Sequence, residues 1–152
     1  PMEVKSKFSM PLAKMITNSR MNLMRIIHYP PIESKITDDS IRAGAHGDIN
    51  LITLLMGGSA DGLEAQTLEG NWIPVSPTDD EIVINIGDML QEASGGYFPS
   101  TSHRVINPSG EASKKSRISL PLFLHPRGEV VLSERHTSES YLLERLKELG
   151  VK

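Results

Sequence analysis

Cysteine is absent from the 152-residue chain. Its absence excludes a disulfide framework and any metal site that depends on thiolate ligands. A chain without disulfides is compatible with a reducing compartment, and we expect a cytoplasmic location. Imidazole nitrogens and carboxylate oxygens are therefore the ligands to consider for a metal ion, and both suit iron.

A strong excess of one charge and a long apolar segment are also missing. The formal net charge is −3 at pH 7 with both signs mixed, so no basic surface indicates nucleic-acid binding. No run is long and apolar enough to cross a membrane, and residues 1–7 lack the basic-then-apolar pattern of a signal peptide. We therefore expect neither a nucleic acid nor a membrane as a partner.

Turn-forming residues are abundant and separate short β-rich runs. The 12 glycines and 10 prolines favour a barrel or sandwich over a helical bundle. About eight short strands followed by a helix fit a mainly β fold, the double-stranded β-helix or cupin-like jelly-roll barrel. The length suits a single domain, residues 1–152, with the barrel core at residues 21–132.

Periodicity and capping residues predict the individual elements. Alternation of apolar and polar residues, or short apolar runs, predict strands at residues 22–29, 49–56, 63–67, 72–75, 82–86, 101–107, 117–124 and 130–132. Helical patterns are found at residues 12–18, 88–94 and 138–150. In the last of these, Ser138 is the expected N-cap and leucines recur at helical spacing.

One motif combines a histidine and an acid just before an apolar run. His46 and Asp48 are two residues apart, and residues at i and i+2 of an extended backbone point to the same face. Gly47 lets the backbone bend between them without a side chain in the way. His103 is the best candidate for a third ligand. Two histidines and one carboxylate form the facial triad of non-heme Fe(II) oxygenases, which leaves metal positions open for substrate and oxygen.

A second pair of residues suits a carboxylate ligand. Arg117 and Ser119 are two apart on a predicted strand, so they share one face. The guanidinium offers a planar fork of donors, and the serine adds a hydroxyl group. Neither motif is specific by itself, because His-x-Asp patterns arise by chance and an arginine at the start of a strand is common.

Eight short pieces occur in a fixed order over residues 22–124. They are Tyr29-Pro30-Pro31, His46-Gly47-Asp48, Leu51-Ile52-Thr53-Leu54-Leu55, Gly62-Leu63-Glu64-Ala65, Trp72-Ile73-Pro74-Val75, Val83-Ile84-Asn85-Ile86-Gly87-Asp88, His103-Arg104-Val105 and Arg117-Ile118-Ser119. With these pieces the chain resembles the iron/2-oxoglutarate-dependent dioxygenases, and within them the isopenicillin N synthase-like group. Any one piece is weak, whereas their order and spacing together are specific.

The resemblance implies an enzyme that uses Fe(II), 2-oxoglutarate and O₂. Such enzymes oxidatively decarboxylate 2-oxoglutarate to succinate while they oxidise a C–H bond of a small molecule. Carried over to this chain, the metal ligands are His46, Asp48 and His103, and the co-substrate residues are Arg117, Ser119 and Tyr29. Weaker candidates for substrate contact, by their position near His103 alone, are Phe98 and Thr101. Relatives often carry asparagine at the position of Ile27, so that contact with the co-substrate is missing here.

Three functions remain open from the sequence. They are a 2-oxoglutarate-dependent hydroxylation or desaturation, an isopenicillin N synthase-like oxidation without 2-oxoglutarate, and a non-catalytic barrel that binds a metal or a partner. Members of the family usually have a helical region before the barrel. Residues 1–20 are therefore expected to be the last part of such a region, and the chain a natural short form or a fragment. The leucine stripe of the last helix packs on the barrel or on another copy, which leaves a homo-oligomer open.

The remaining polar residues have structural interpretations. Asn85 is polar inside an apolar strand and is expected to pair with another buried group. Asp88 is interpreted as a turn former. His28, His125 and His136 have no partner at a metal-ligand spacing, so we expect them on the surface or in packing.

Overall fold

The computed structural model describes residues 2–32, 41–57 and 59–151. Ten strands and four α-helices form these parts of the chain, together with a 3₁₀ helix at Gly110–Lys114. In chain order they are α1 (Met2–Lys5), α2 (Leu12–Ile16), β1 (Leu23–Met24), β2 (Ile27–Tyr29), β3 (Ala43–His46), β4 (Ile52–Met56), β5 (Leu63–Gln66), β6 (Trp72–Pro74), β7 (Ile82–Ile86), α3 (Asp88–Ala93), β8 (His103–Val105), β9 (Arg117–Ser119), β10 (Pro121–Leu124) and α4 (Ser138–Glu148). The fold is mainly β with short helices at both ends, as the sequence predicts.

Two four-stranded antiparallel sheets and one strand pair make up the β-structure of the described residues. The strand order is β1-β10-β4-β7 in the first, the major sheet, and β3-β8-β5-β6 in the second, the minor sheet. The separate pair is β2-β9. Strands adjacent in the chain are rarely adjacent in a sheet, which is the crossing pattern of a jelly-roll and not of a meander. The prediction of a double-stranded β-helix is confirmed.

The register between β4 and β7 decides which side chains face the space between the sheets. Thr53 lies opposite Asn85, and Leu55 lies opposite Val83, and all four point inward. Side chains alternate along a strand, so the other residues form the outer face. These outer residues are aliphatic or methionine throughout: Ile52, Leu54, Met56, Ile82, Ile84 and Ile86.

The packed core lies beside the barrel, between the helices and one end of the major sheet. Met15 of α2, Leu51, Met89 of α3 and Val130 are its most deeply buried members. Arg127 closes this region, because its Nη1 donates to main-chain oxygens at the C-terminal end of α2. The core therefore does not fill the space between the sheets, which is left for a cavity. The boundaries predicted at residues 20 and 132 stay predictions.

The helices differ from their predicted positions mainly at the ends. α1 is not predicted, and α2 ends earlier than predicted because Thr17 is extended and Asn18 has a φ of 56°. α4 has Thr137 as its N-cap instead of Ser138. Thr137 Oγ1 accepts a hydrogen bond from Ser140 N, while Ser140 Oγ accepts one from Thr137 N, so the two form a capping box. No helix in the described part of the chain has the length and apolar character that crossing a bilayer requires.

Several predicted strands are split or shorter, among them 117–124, which forms β9 and β10, and 101–107, which is reduced to β8. The strand at 22–29 splits into β1 and β2, because its two halves pair with different strands, β10 and β9. The run 49–56 is extended only from β4 onward, because Asn50 Nδ2 donates to the main-chain oxygen two residues later and forms a turn. Residues 130–132 form one isolated bridge to Thr137 and no strand.

Candidate metal and carboxylate site

A cavity opens between the two sheets and collects most of the polar residues that the sequence singled out. Its polar lining residues are Tyr29, His46, Asp48, Thr53, Asn85, Thr101, His103, Arg117 and Ser119. Its apolar lining residues are Ile27, Leu55, Leu63, Ala65, Val75, Val83, Val105, Pro121 and Phe123. The three candidate metal ligands and the three candidate co-substrate residues therefore face the same space.

An irregularity in β3 directs His46 into the cavity. β3 pairs with β8 so that Ala43 lies opposite Val105 and His46 lies opposite His103. Three residue steps on β3 (43 to 46) thus match two on β8 (105 to 103), which is a β-bulge. The extra residue changes the side on which His46 emerges. Both imidazoles then face the same way, with their ring centroids 4.4 Å apart.

Both imidazoles are held by the same kind of local contact. His46 Nδ1 lies 2.7 Å from Gly44 O, and His103 Nδ1 lies 3.1 Å from Thr101 O. A carbonyl oxygen only accepts, so in each ring the proton is on Nδ1 and is donated to that oxygen. In the neutral form of such a ring the lone pair is on Nε2, the atom available to a divalent metal.

Asp48 supplies an acid beside the two imidazoles. It lies beyond the end of β3, so a common strand face is not what brings it to His46. The three residues nevertheless converge, because one ligand atom from each lies within 4.8 Å of the others. His103 Nε2 is 3.8 Å from Asp48 Oδ1. This is less than twice a metal–ligand distance of about 2.1 Å, so one ion can contact both atoms. The donor set fits a divalent metal such as iron.

The second oxygen of the Asp48 carboxylate accepts hydrogen bonds from two neutral side chains. Thr53 Oγ1 donates to Asp48 Oδ2 at 2.5 Å, and Asn85 Nδ2 donates to it at 2.9 Å. Asn85 is thus paired with a buried group, as predicted, but the partner is a candidate metal ligand. The sequence reasoning missed this role. The pattern that could have shown it is a polar residue at an inward position of each of two apolar strands.

Arg117 is buried in the cavity wall with part of its guanidinium unpaired. The residue is only 3 % exposed. Its Nε donates to Ala60 O, whereas Nη1 has no hydrogen-bond partner among residues 2–32, 41–57 and 59–151. Burial lowers the pKa of Arg117, but arginine stays charged in proteins. A buried charge without a counter-ion is costly, so this position suits an anion.

Tyr29 and Ser119 flank Arg117 through the pairing of β2 with β9. Tyr29 lies directly opposite Arg117, and Ile27 lies opposite Ser119. Arg117 Cζ is 5.4 Å from the centre of the Tyr29 ring, within the range of a cation–π contact. Ser119 is also buried and faces the cavity from the same side as Arg117. The fork of donors and the hydroxyl expected from the sequence therefore occur together.

The two weaker candidates for substrate contact are placed differently. Thr101 lines the cavity two residues before His103. Phe98 does not line it, because the turn after α3 directs its side chain against the hydrophobic core. That turn is fixed by a hydrogen bond from Phe98 N to Ser94 Oγ. The structure gives no support to Phe98 as a substrate contact.

The other polar residues lie outside the cavity lining. His28 is exposed, and His136 packs edge-on against a tyrosine of α4. Burial lowers the pKa of His125, which favours its neutral form. Asp88 is the first residue of α3 and lies 3.8 Å from Arg145 Nε. The interpretation of Asp88 as a turn former is therefore wrong, because the residue is the first of a helix. A negative charge is favourable at that end of a helix.

Comparison with known protein families identifies the class of protein. Residues 20–126, most of the chain, match the family model described as the 2OG-Fe(II) oxygenase superfamily. The chain belongs to this superfamily. The superfamily takes its name from 2-oxoglutarate and Fe(II), the co-substrate and the metal that the sequence predicts, so the resemblance is confirmed at the level of the family.

Individual members of the superfamily align with most of the chain. The 2-oxoglutarate-dependent dioxygenase citB of Monascus ruber is 41% identical over 87 residues, which are 55% of this chain and 26% of that protein. The crystal structure of a candidate oxygenase from Shewanella oneidensis is 60% identical, with a TM-score of 0.89, and the match covers 100% of this chain and 56% of that one. A full-length protein of Neurospora crassa, crystallised in complex with alpha-KG, another name for 2-oxoglutarate, is 30% identical with a TM-score of 0.77, over 88% of this chain and 46% of that one. The chain thus spans about a quarter to a half of the length of these relatives.

Proposed function

We propose that this chain is an Fe(II)- and 2-oxoglutarate-dependent dioxygenase that hydroxylates or desaturates a small molecule. One observation carries the proposal. Ligand atoms of His46, Asp48 and His103 lie within 4.8 Å of one another in a cavity that also holds the guanidinium of Arg117, whose Nη1 has no hydrogen-bond partner within the described residues. A metal ion accounts for the first group and a dicarboxylate co-substrate for the second, whereas a non-catalytic barrel that binds a metal or a partner does not require the buried guanidinium.

The three ligands have complementary tasks. His46 and His103 each offer a neutral lone pair on Nε2, because their Nδ1 protons are held by main-chain carbonyls. Asp48 adds one negative charge through its carboxylate. When bound there, Fe(II) would supply the oxidising chemistry, in which 2-oxoglutarate and O₂ become succinate and CO₂, and the second oxygen atom either enters a C–H bond on hydroxylation or leaves as water with two substrate hydrogens on desaturation.

Arg117 binds the carboxylate of 2-oxoglutarate that is remote from the metal. An anion at this place neutralises a buried charge and gives the unpaired Nη1 an acceptor. Ser119 offers a hydroxyl on the same strand face, and the ring of Tyr29 covers the guanidinium from the neighbouring strand. The superfamily match supports the use of 2-oxoglutarate over an oxidation that does not consume it.

The cavity walls favour a small, partly apolar substrate. Aliphatic side chains from both sheets line them, and burial of apolar surface is the main source of affinity in such sites. Among the hydroxyl groups that line the cavity, that of Thr101 is nearest in sequence to His103, and it is available for a polar contact. The Neurospora protein has been crystallised with alpha-KG and 5-formyluracil, and 5-formyluracil is also a small molecule.

Arg117→Lys is expected to weaken 2-oxoglutarate binding by about ten- to a hundredfold. Lysine keeps the charge but loses the planar fork, and a hydrogen bond to a charged group is worth about 1.5–3 kcal/mol. The measurement is the dissociation constant of 2-oxoglutarate by anaerobic calorimetry in the presence of Fe(II). Succinate release in air is measured on the same samples and tests the activity itself.

The matched control for this experiment is Arg104→Lys. Arg104 lies on the opposite side of β8, where it pairs with Glu64 and stacks on Trp72. Its substitution is expected to leave the dissociation constant of 2-oxoglutarate unchanged. An unaltered constant in Arg117→Lys would reject the role of that residue. A wild-type chain that releases no succinate with Fe(II), O₂ and 2-oxoglutarate would contradict the proposed activity.

We propose in addition that the chain self-associates. Met56, Ile82 and Ile84 expose 54%, 59% and 62% of their surface on the outer face of the major sheet. Adjacent exposed apolar side chains of this kind mark contact surfaces. Light scattering on the purified chain measures its mass, and a monomer at every concentration would contradict this proposal.

A further inference from the structure

We propose that Asn85 and Thr53 are positioning residues, which direct one oxygen of Asp48 to the metal and keep the other away from it. This inference rests on the proposed function, because it takes Asp48 as a metal ligand. Neither residue is itself a ligand in the proposal. Both act on the metal only through the carboxylate that they hold.

Hydrogen bonding distinguishes the two oxygens of the Asp48 carboxylate. Oδ2 accepts from Thr53 Oγ1 at 2.5 Å and from Asn85 Nδ2 at 2.9 Å. A carboxylate oxygen has two lone pairs in its plane, so two donors fill it. Oδ1 instead faces His103 Nε2 at 3.8 Å. The carboxylate is therefore prepared to offer a single oxygen, Oδ1, to a cation that it shares with His103.

A third residue, Asn50, sets the direction of the Thr53 hydroxyl. Asn50 Nδ2 donates to Thr53 Oγ1 at 3.0 Å and to Ile52 O at 2.8 Å. Because the hydroxyl oxygen already accepts from Asn50, its single proton is free to be donated to Asp48. Asn50 is 1% exposed and Thr53 is 3% exposed, so water does not compete for these bonds.

The donors stand on a more regular part of the fold than the carboxylate does. Thr53 of β4 and Asn85 of β7 are cross-strand partners within an unbroken antiparallel ladder. Asp48 lies in the irregular segment between β3 and β4. The major sheet thus determines the orientation of a ligand that its own segment does not fix. Both donors are neutral, so the negative charge of Asp48 stays available for the metal.

A purely structural pair of hydrogen bonds would have a different effect. It would tie the segment of Asp48 to the sheet, and its loss would lower stability without altering the coordination of a bound metal. The coordination geometry is therefore the quantity that separates the two roles. Co(II) is a suitable probe, because its visible absorption spectrum depends on the number and arrangement of its ligands.

The test titrates the 152-residue chain with Co(II), measuring affinity by calorimetry and coordination by visible absorption. Asn85→Leu and Thr53→Val each remove one donor and keep the branched shape and the number of side-chain heavy atoms. Each is expected to weaken Co(II) binding by about ten- to a hundredfold and to change the spectrum. Thr53→Ser keeps the hydroxyl and is expected to restore both affinity and spectrum. Asn85 is only half-buried, so Asn85→Leu carries the test if Thr53→Val does not fold.

Thr67→Val is the matched control, because it makes the same chemical change in the turn after β5, where Thr67 Oγ1 accepts from Asn71 N. It is expected to bind Co(II) like the wild type. Wild-type affinity and spectrum in Asn85→Leu would overturn the inference and leave the metal ligands standing. A weaker affinity with an unchanged spectrum would also overturn it, since that result indicates a structural role alone. A wild-type chain that binds no Co(II) would overturn the proposed function and this inference together.

Discussion

Asp48→Ala is expected to abolish binding of Fe(II) and Co(II), with a loss of affinity of more than about a hundredfold. The change removes the one anionic ligand and leaves two neutral imidazoles, of which His46 lies at the exposed end of β3. Two such ligands cannot hold a divalent ion against water at ordinary concentrations of metal. Calorimetric titration of the metal-free chain measures this loss for each metal.

The same substitution is expected to cost only a modest amount of stability. Thr53 and Asn85 lose their acceptor, and a buried group without a partner costs about 1–3 kcal/mol. The hydroxyl of Thr53 can turn to Asn50 Oδ1, which is 3.4 Å away, and the half-buried Asn85 can reach water. Far-UV circular dichroism is therefore expected to be unchanged, with a small decrease in melting temperature.

A matched control separates a specific ligand from general attraction between acids and metal ions. Asp79→Ala removes an exposed carboxylate from the turn before β7 and is expected to leave metal affinity unaltered. His46→Ala is expected to behave like Asp48→Ala. The ligand assignment would be wrong if both of these variants bound Co(II) as tightly as the wild-type chain.

Alternation along strands predicted the inward side chains well where the backbone is extended. Alternation along the predicted strand 117–124 puts Pro121 and Phe123 on the same face as Arg117 and Ser119, and all four line the cavity, although β9 and β10 pair with different strands. The reason is that the period of two depends on the extended backbone itself and not on its hydrogen-bonded neighbour. Alternation along the predicted strand 101–107 likewise puts Thr101 and Val105 on the same face as His103, and all three line the cavity.

Features that depend on pairing between distant segments were not predictable in this way. The bulge that turns His46 towards His103 exists only as a mismatch between β3 and β8. Alternation also turns Asn85 inward but does not say which group it meets. Asn85 and Thr53 donate to one carboxylate for two reasons. The register of β4 against β7 puts them side by side, and the turn before β4 brings Asp48 within hydrogen-bond distance of both. Sequence therefore predicted the candidate ligands but not the residues that orient them.

Gly87→Ala is expected to lower the free energy of unfolding by about 3–5 kcal/mol. A Cβ atom at this position would stand 2.1 Å from Asn50 O and 2.6 Å from Asn50 Oδ1. The main-chain oxygen cannot move aside, because Met89 N donates to it, while Gly87 N is held by Leu51 O at 3.0 Å. The methyl group therefore forces the Asn50 turn and the start of α3 apart. Thermal unfolding is expected to show a decrease of roughly 10 °C or more.

Gly44→Ala is the matched control for this change, because a Cβ atom at Gly44 meets no heavy atom within 4 Å. It removes the same backbone freedom from the unfolded chain and is expected to leave the melting temperature nearly unaltered. Equal melting temperatures for the two variants would show that the close approach at Gly87 is not a constraint. Because Asn50 orients Thr53 and Thr53 donates to Asp48, the folded fraction of Gly87→Ala is also expected to bind Co(II) more weakly than Gly44→Ala. One glycine would then support both the packing of α3 and the orientation of the acidic ligand.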